Sequence, residues 1–167
     1  AEQMLLGALM DVSGNYADAQ EIVKDDDFYR EGHRLIYRAM YELFHSGEPI
    51  EPLTVREELI KAGHPETDAV HEALFDAVQS PYIAASFRTY AEIVHDTATQ
   101  RRLLRISQEI EGIVAGREGE TDEMVQKAED LVYGLSQASV RGDFVGAEQL
   151  VKKNLDNLIA ASERGVE

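Results

Sequence analysis

Two Glu-x-x-His pairs, Glu42/His45 and Glu92/His95, are the sharpest chemical lead in this chain. Each sets a carboxylate and an imidazole one helical turn apart. A carboxylate-bridged di-iron bundle uses two such pairs plus one Glu from each of two further helices, all pointing inward. Here the helical pattern turns them outward. The apolar face of 31–46 runs through Leu35, Ile36, Ala39, Met40, Leu43 and Phe44, which leaves Glu42 beside Arg38 and Tyr41. On the next candidate helix Phe87, Tyr90, Ala91, Val94 and Ala98 face inward, so Glu92 and His95 fall beside Arg88 and Thr99. With 32 acidic residues in the chain, chance matches of this kind are expected. His45 reads more simply as a cation near a helix C-terminus.

The remaining polar clusters are read in the same way. Asp25, Asp26 and Asp27 are adjacent, so their side chains diverge and make a poor chelate, and EF-hand spacing is absent. They read as carboxylates complementing the positive end of the helix that follows. Arg101, Arg102 and Arg105 form the one basic cluster, read as a solvated helix face in which Arg105 pairs with Glu109 at i,i+4. No nucleophile–base pairing is visible. No glycine pair at P-loop spacing is followed by Lys and Ser/Thr, and the glycine-rich "GREGET" sits between two helical patterns without a strand or a lysine. No catalytic, cofactor or metal residues are therefore assigned.

Composition narrows the classes further. The 167 residues carry 32 acidic and 16 basic side chains, a net charge of −16, and 44% of them are hydrophobic. That content suits a folded domain. The charge repels phosphate backbones, so direct nucleic-acid binding is not expected and a basic protein partner suits the surface better. Without cysteine there is no disulfide, thiolate nucleophile or Cys-type zinc site. No apolar run reaches membrane-spanning length. The chain opens already in a helical pattern and stops at "SERGVE", and is expected to be a piece of something longer.

The elements that must position these residues are all helical. Short helices are predicted over 2–10 and 16–23. A strong one spans 31–46, ended by Ser46-Gly47. Thr54 and Glu57 have capping-box spacing for a helix to about 62. Another follows over 67–79, broken at Ser80-Pro81. Residues 84–115 read as helical, with a kink allowed near Thr97–Gln100. "GREGET" reverses the chain, and Thr121 caps a return helix with Asp122 and Glu123 in its first turn. Leu103, Ile106, Ile110 and Ile113 face Met124, Ala128, Leu131, Val132 and Leu135 as two stripes of an αα-hairpin, each arm about 25 Å long at ~1.5 Å per residue. Leu104 and Val114 widen the first stripe beyond one face. After the linker "SVRGDF" a last amphipathic helix, 146–163, carries Leu150, Val151, Leu155, Leu158 and Ile159 on one side. Apolar stripes without a partner in the chain need other chains, so these hairpin and terminal-helix residues are the candidate partner-binding set: Leu103, Leu104, Ile106, Ile110, Ile113, Val114, Met124 and Leu131, with the five of the last helix.

"DFYREGHRLIYRAM" followed by "GEPIEPLTVREEL" resembles the N-terminal domain of the bacterial replicative DNA helicase, the DnaB family. The residues that carry the likeness are Asp27, Phe28, Tyr29, His33, Arg34, Ile36, Ala39, Gly47, Pro49, Ile50, Glu51, Thr54, Val55 and Leu59. "AEQMLLGAL" at 1–9 is similar to the family's opening helix, "YAEIVHDTATQRRLL" at 90–104 to the start of its hairpin, and "AEDLVYGL" at 128–135 to the return arm. Residues 63–79 lack the family's usual Gly-Gly and Tyr-Leu character, and "SPYIAASF" departs from its usual stretch before the hairpin. The resemblance implies an all-α fold: a globular head (1–85), a self-associating hairpin (86–139), and a linker with its helix (140–167) leading to a motor domain. It implies Phe28 and Tyr29 as core anchors, and His33 and Arg34 as structural. It also implies a collar that dimerises through its hairpins, belongs to a hexameric ring, docks the primase C-terminal domain and a helicase loader, and works in the bacterial cytoplasm at the replication fork. No cofactor is implied for this part of the protein. Two alternatives stand beside it: a stand-alone acidic helical adaptor, and a di-metal helical bundle.

Overall fold

Why the opening helix lies at the centre follows from its composition. Glu2–Asp11 (α1) is apolar on every side after its first turn, and a helix without a polar face must be covered all round. Leu5, Leu6, Gly7, Ala8, Leu9 and Met10 are all buried. The computed structural model describes residues 1–116 and 119–135. The chain divides into two units, Ala1–Arg101 and Arg102–Glu167.

In the first unit α1 packs on α5 (Ala69–Gln79) and α3 (Glu31–Ser46), and α3 also packs on α4 (Pro52–Lys61) and α5. The α3 helix buries Ile36, Tyr37, Ala39, Met40 and Leu43 on one face, close to the predicted stripe. It ends as expected: Gly47 takes φ 72, a left-handed conformation that glycine adopts without a Cβ clash. Its amide and that of Glu48 return to the last-turn carbonyls of Phe44 and Leu43. Gly7 answers a different demand. A Cβ there would stand 2.5 Å from Tyr82 Cδ1 and 2.6 Å from the Ala77 carbonyl, so the missing side chain lets α1 approach the end of α5.

Local boundaries differ from the sequence reading at three places. The second helix, α2, covers only Asn15–Ala19, after which Gln20–Ile22 form turns. The α4 helix starts before Thr54, because Pro52 fits the first helical position and Thr54 becomes the third. The Thr54 hydroxyl accepts from the Glu51 amide (3.0 Å) and donates to the Pro49 carbonyl (2.6 Å), so it braces the entry loop instead of capping Glu57. The return helix after "GREGET" covers 121–135, and the Glu120 carbonyl accepts from Met124, which puts Thr121 inside the first turn.

The α6 helix, Phe87–Gly116, is assigned without interruption, and at the site of the allowed kink the Thr97 hydroxyl donates to the Ile93 carbonyl (2.7 Å). Phe87, Ala91 and Val94 in its first turns belong to the core of the first unit. An aromatic chain runs through that core, with Tyr16, Tyr37 and Phe28 rings at 5.3 and 4.9 Å.

The second unit begins within α6 and includes the helix 121–135, here α7. Ile106, Ile110 and Ile113 on one arm and Met124, Ala128, Leu131 and Leu135 on the other are its more covered positions. Glu109, Gly112, Ile113, Lys127, Asp130 and Leu131 line one shallow groove between the arms. Among the described residues there is no strand, which agrees with the all-α class. The predicted linker and its helix, 140–167, lie outside the described residues.

Candidate interaction surfaces and the buried polar network

The polar groups that the sequence offered as chemistry are used for joining elements. Glu2 opens α1 and reaches two partners from the loop and helix that follow residue 28. Its Oε1 accepts from the Tyr29 amide (2.7 Å), and its Oε2 meets His33 Nδ1 at 2.6 Å. An ionised carboxylate only accepts, so the hydrogen sits on Nδ1. Burial acts to raise the Glu2 pKa, but the His33 and Tyr29 hydrogen bonds and the His33 charge outweigh it and hold the carboxyl below its ordinary range. His33 is 2% exposed, and its Nε2 is buried without a hydrogen-bond partner. Arg34 donates to Glu31 (3.0 Å) and to the Phe28 carbonyl (3.3 Å). A structural use for both residues fits this geometry.

The three aspartates part company. Asp25 pairs with Arg38 of α3 (2.5 Å), and the Asp26 amide donates to Asp25 (3.0 Å). Asp27 is the surprise, because its side chain is 2% exposed. Its Oδ2 accepts from the Lys24 amide (3.0 Å) and meets His95 Nδ1 (3.1 Å), while its carbonyl accepts from the Arg101 guanidinium (2.5 Å). The expectation of three carboxylates serving the next helix is corrected for two of them: Asp25 ties the loop to α3 and Asp27 ties it to α6. Arg101 likewise leaves the solvated face expected for it and lies over the Tyr29 ring, 5.4 Å from its centroid. Arg105 does pair with Glu109, at 3.6 Å.

Phe28 is buried as a core anchor, but Tyr29 is 74% exposed and is not one. The two side chains leave an extended backbone in opposite directions, and the inward place belongs to Phe28. Neither Glu-x-x-His pair forms a chelate. His45 Nδ1 meets the Tyr41 carbonyl (2.9 Å) in the last turn of α3, and its ring stacks on Tyr41 at 4.0 Å. His95 turns to Asp27. Among the described residues no group of three metal-ligating side chains converges.

The partner-binding candidates separate into two sets. Leu103, Leu104 and Val114 are exposed, at 52, 62 and 61%. Ile106 is buried, and Ile110, Ile113, Met124 and Leu131 are half-buried on the covered side of the arms. Leu150, Val151, Leu155, Leu158 and Ile159 lie outside the described residues. Val125, Val132 and Tyr133 are further exposed apolar side chains on α7. Of these, Val132 was placed on the inner stripe, and a 3.6-residue period turns it one position away from Leu131 and Leu135. In the first unit Phe75 and Ile83 (both 64%) and Leu53 (57%) are exposed as well, and the sequence reading singled out none of them.

Residues 1–96 match the model of the DnaB-like helicase N terminal domain. The chain is 32% identical over 163 residues to the replicative DNA helicase DnaC of Bacillus subtilis, covering 95% of this chain and 35% of that protein. It is 30% identical over 167 residues to the replicative DNA helicase DnaB of Mycobacterium leprae, covering 99% and 28%. The chain thus spans about a third of the length of these curated relatives. Among solved structures, the N-terminal domain of DnaB helicase from Mycobacterium tuberculosis superposes with a TM-score of 0.73 at 28% identity, over 80% of this chain and 94% of that one. The corresponding Helicobacter pylori domain, described with its interactions with primase, gives 0.58 at 17% identity, over 68% and 89%, a likeness of fold.

Proposed function

Because the chain belongs to the DnaB-like helicase N-terminal domain family, we propose that it is the collar of a hexameric, ATP-dependent replicative DNA helicase. In this reading it joins subunits, docks primase and a helicase loader, and regulates the motor at the fork in the bacterial cytoplasm. The catalytic loop belongs to the motor domain; this domain hydrolyses no ATP and holds no cofactor. The proposed division is a head (1–85), a hairpin (86–139) and a linker with its helix (140–167). What supports primase docking is the described interaction of the H. pylori domain, which shares the fold.

The observation that carries the assembly part is the uncovered apolar surface of the second unit. Leu103, Leu104 and Val114 present large aliphatic side chains to water although the arms already cover Ile106, Ile110 and Ile113. Apolar residues grouped on one element in this way mark an association surface. Ile106, Ile110, Ile113, Met124 and Leu131 then shape the hairpin beneath that surface. The stripe Leu150, Val151, Leu155, Leu158 and Ile159 is proposed to dock on the motor of a neighbouring subunit, as a helix in a groove. Sedimentation velocity across a wide concentration range tests the assembly part. A concentration-dependent dimer is expected, weakened in a Leu104→Asp/Val114→Asp variant whose helicity is unchanged. A chain that stays monomeric at the highest concentration would refute self-association through the hairpin.

A further inference from the structure

We propose that the loop 24–29 and the α6 residues His95 and Arg101 form a releasable clasp that fixes how far along α6 the first unit holds the helix. The clasp thereby couples the loop to the hairpin that α6 enters.

A carboxylate as deeply buried as Asp27 is costly unless paired and hydrogen-bonded. Its donors come from two places. The Lys24 amide lies in its own turn, whereas His95 and, through the Asp27 carbonyl, Arg101 come from α6. The core cluster follows α6 as far as Val94, and Ala98 is also buried. At the last residue of the unit, Arg101, the hold is polar: one guanidinium bond to a carbonyl and one cation–π contact with Tyr29. Polar contacts at a wet edge exchange with water far more readily than buried apolar ones. The edge here is wet, since the His95 side chain is 37% exposed and Tyr29 is 74% exposed.

The loop also has an anchor of its own. Asp25 is paired with Arg38 of α3, and the Tyr29 amide with Glu2 of α1. Releasing His95 and Arg101 would therefore free α6 beyond its buried residues while the loop stays in place. A two-position element of this kind is what coupling between parts of a protein requires. The clasp lies within the first unit and does not rest on the collar reading.

The test uses the full 167-residue chain with Arg101→Ala and, separately, His95→Gln. Both side chains are partly open to solvent, so the fold should survive. Hydrogen exchange should quicken at least tenfold for α6 amides 95–106 while amides of α1 and α3 keep their rates. The chain has no cysteine, so pairs of spin labels can be placed without background on Ser13 and Glu123. Their distance distribution should broaden in both variants. Unchanged exchange would overturn the clasp. Uniform quickening in α1, α3 and α6 would make these contacts part of the global fold, and faster α6 exchange with an unchanged distance distribution would show that they do not reach the hairpin. Either result refutes the proposal.

Discussion

Glu2 Oε2 stands 2.6 Å from His33 Nδ1, thirty-one positions along the chain. The pair joins the first turn of α1 to the first turn of α3. It also lowers the Glu2 carboxyl pKa: burial acts to raise it, and the hydrogen bonds from His33 and Tyr29 with the His33 charge outweigh that. A carboxyl with a lowered folded pKa adds stability above its unfolded value, about 4.3, and loses it as pH falls through the folded value. Glu2→Gln should cost about 2 kcal/mol at pH 7, the range for losing hydrogen bonds to a charged group. The gap between variant and parent should close as pH falls below ~4. Urea denaturation at pH 7 and at pH 3 checks both parts.

Neighbouring aromatics should respond to very different extents. Phe28→Ala empties a buried site between Tyr37 and the surrounding core and should cost about 3–5 kcal/mol. Tyr29→Ala removes an exposed ring and its contact with Arg101 and should cost no more than ~1 kcal/mol. Chemical denaturation of the two variants side by side measures the difference. Equal losses would contradict the opposite placements of the two rings.

Gly7→Ala adds one carbon where Tyr82 and the Ala77 carbonyl stand within 2.6 Å. The flexible ring can give way more easily than the backbone oxygen. Overpacking of this kind costs about 1–3 kcal/mol, which should appear as a fall of several degrees in Tm by calorimetry. A Tm equal to that of the parent would mean that α1 and α5 separate without strain.

On the proposed collar reading, Leu155→Asp with Leu158→Asp in a helicase that carries this domain should weaken ring assembly and leave the first unit folded. Each would put a charge into a desolvated groove, at several kcal/mol in principle. Native mass spectrometry reads the hexamer fraction directly. A double variant that keeps its full hexamer population would reduce the stretch 146–163 to a spacer.

The sequence by itself determined the helical class, the extent of α3 with its glycine stop, the family resemblance and three residues of the stripe Leu103/Ile106/Ile110/Ile113, of which Leu103 proves exposed instead of covered. Each rests on periodicity or on a motif within a few dozen residues, where the local chain alone selects the structure. Helical phase, which decides which way a side chain faces, also turned the Glu-x-x-His pairs outward and left a metal site as the less favoured alternative. Only the tertiary structure decided what those polar residues do instead. Asp27 and His95 are 68 positions apart, and Asp27 and Arg101 are 74 apart. No spacing rule links residues so distant. Tyr29 was placed wrongly for a related reason: in an extended segment adjacent side chains alternate, and which of Phe28 and Tyr29 turns inward is set by where the core lies. Burial of a carboxylate is likewise invisible locally, since the Lys24 amide in its own turn is joined at Asp27 Oδ2 by His95, which α6 brings alongside from 68 positions away.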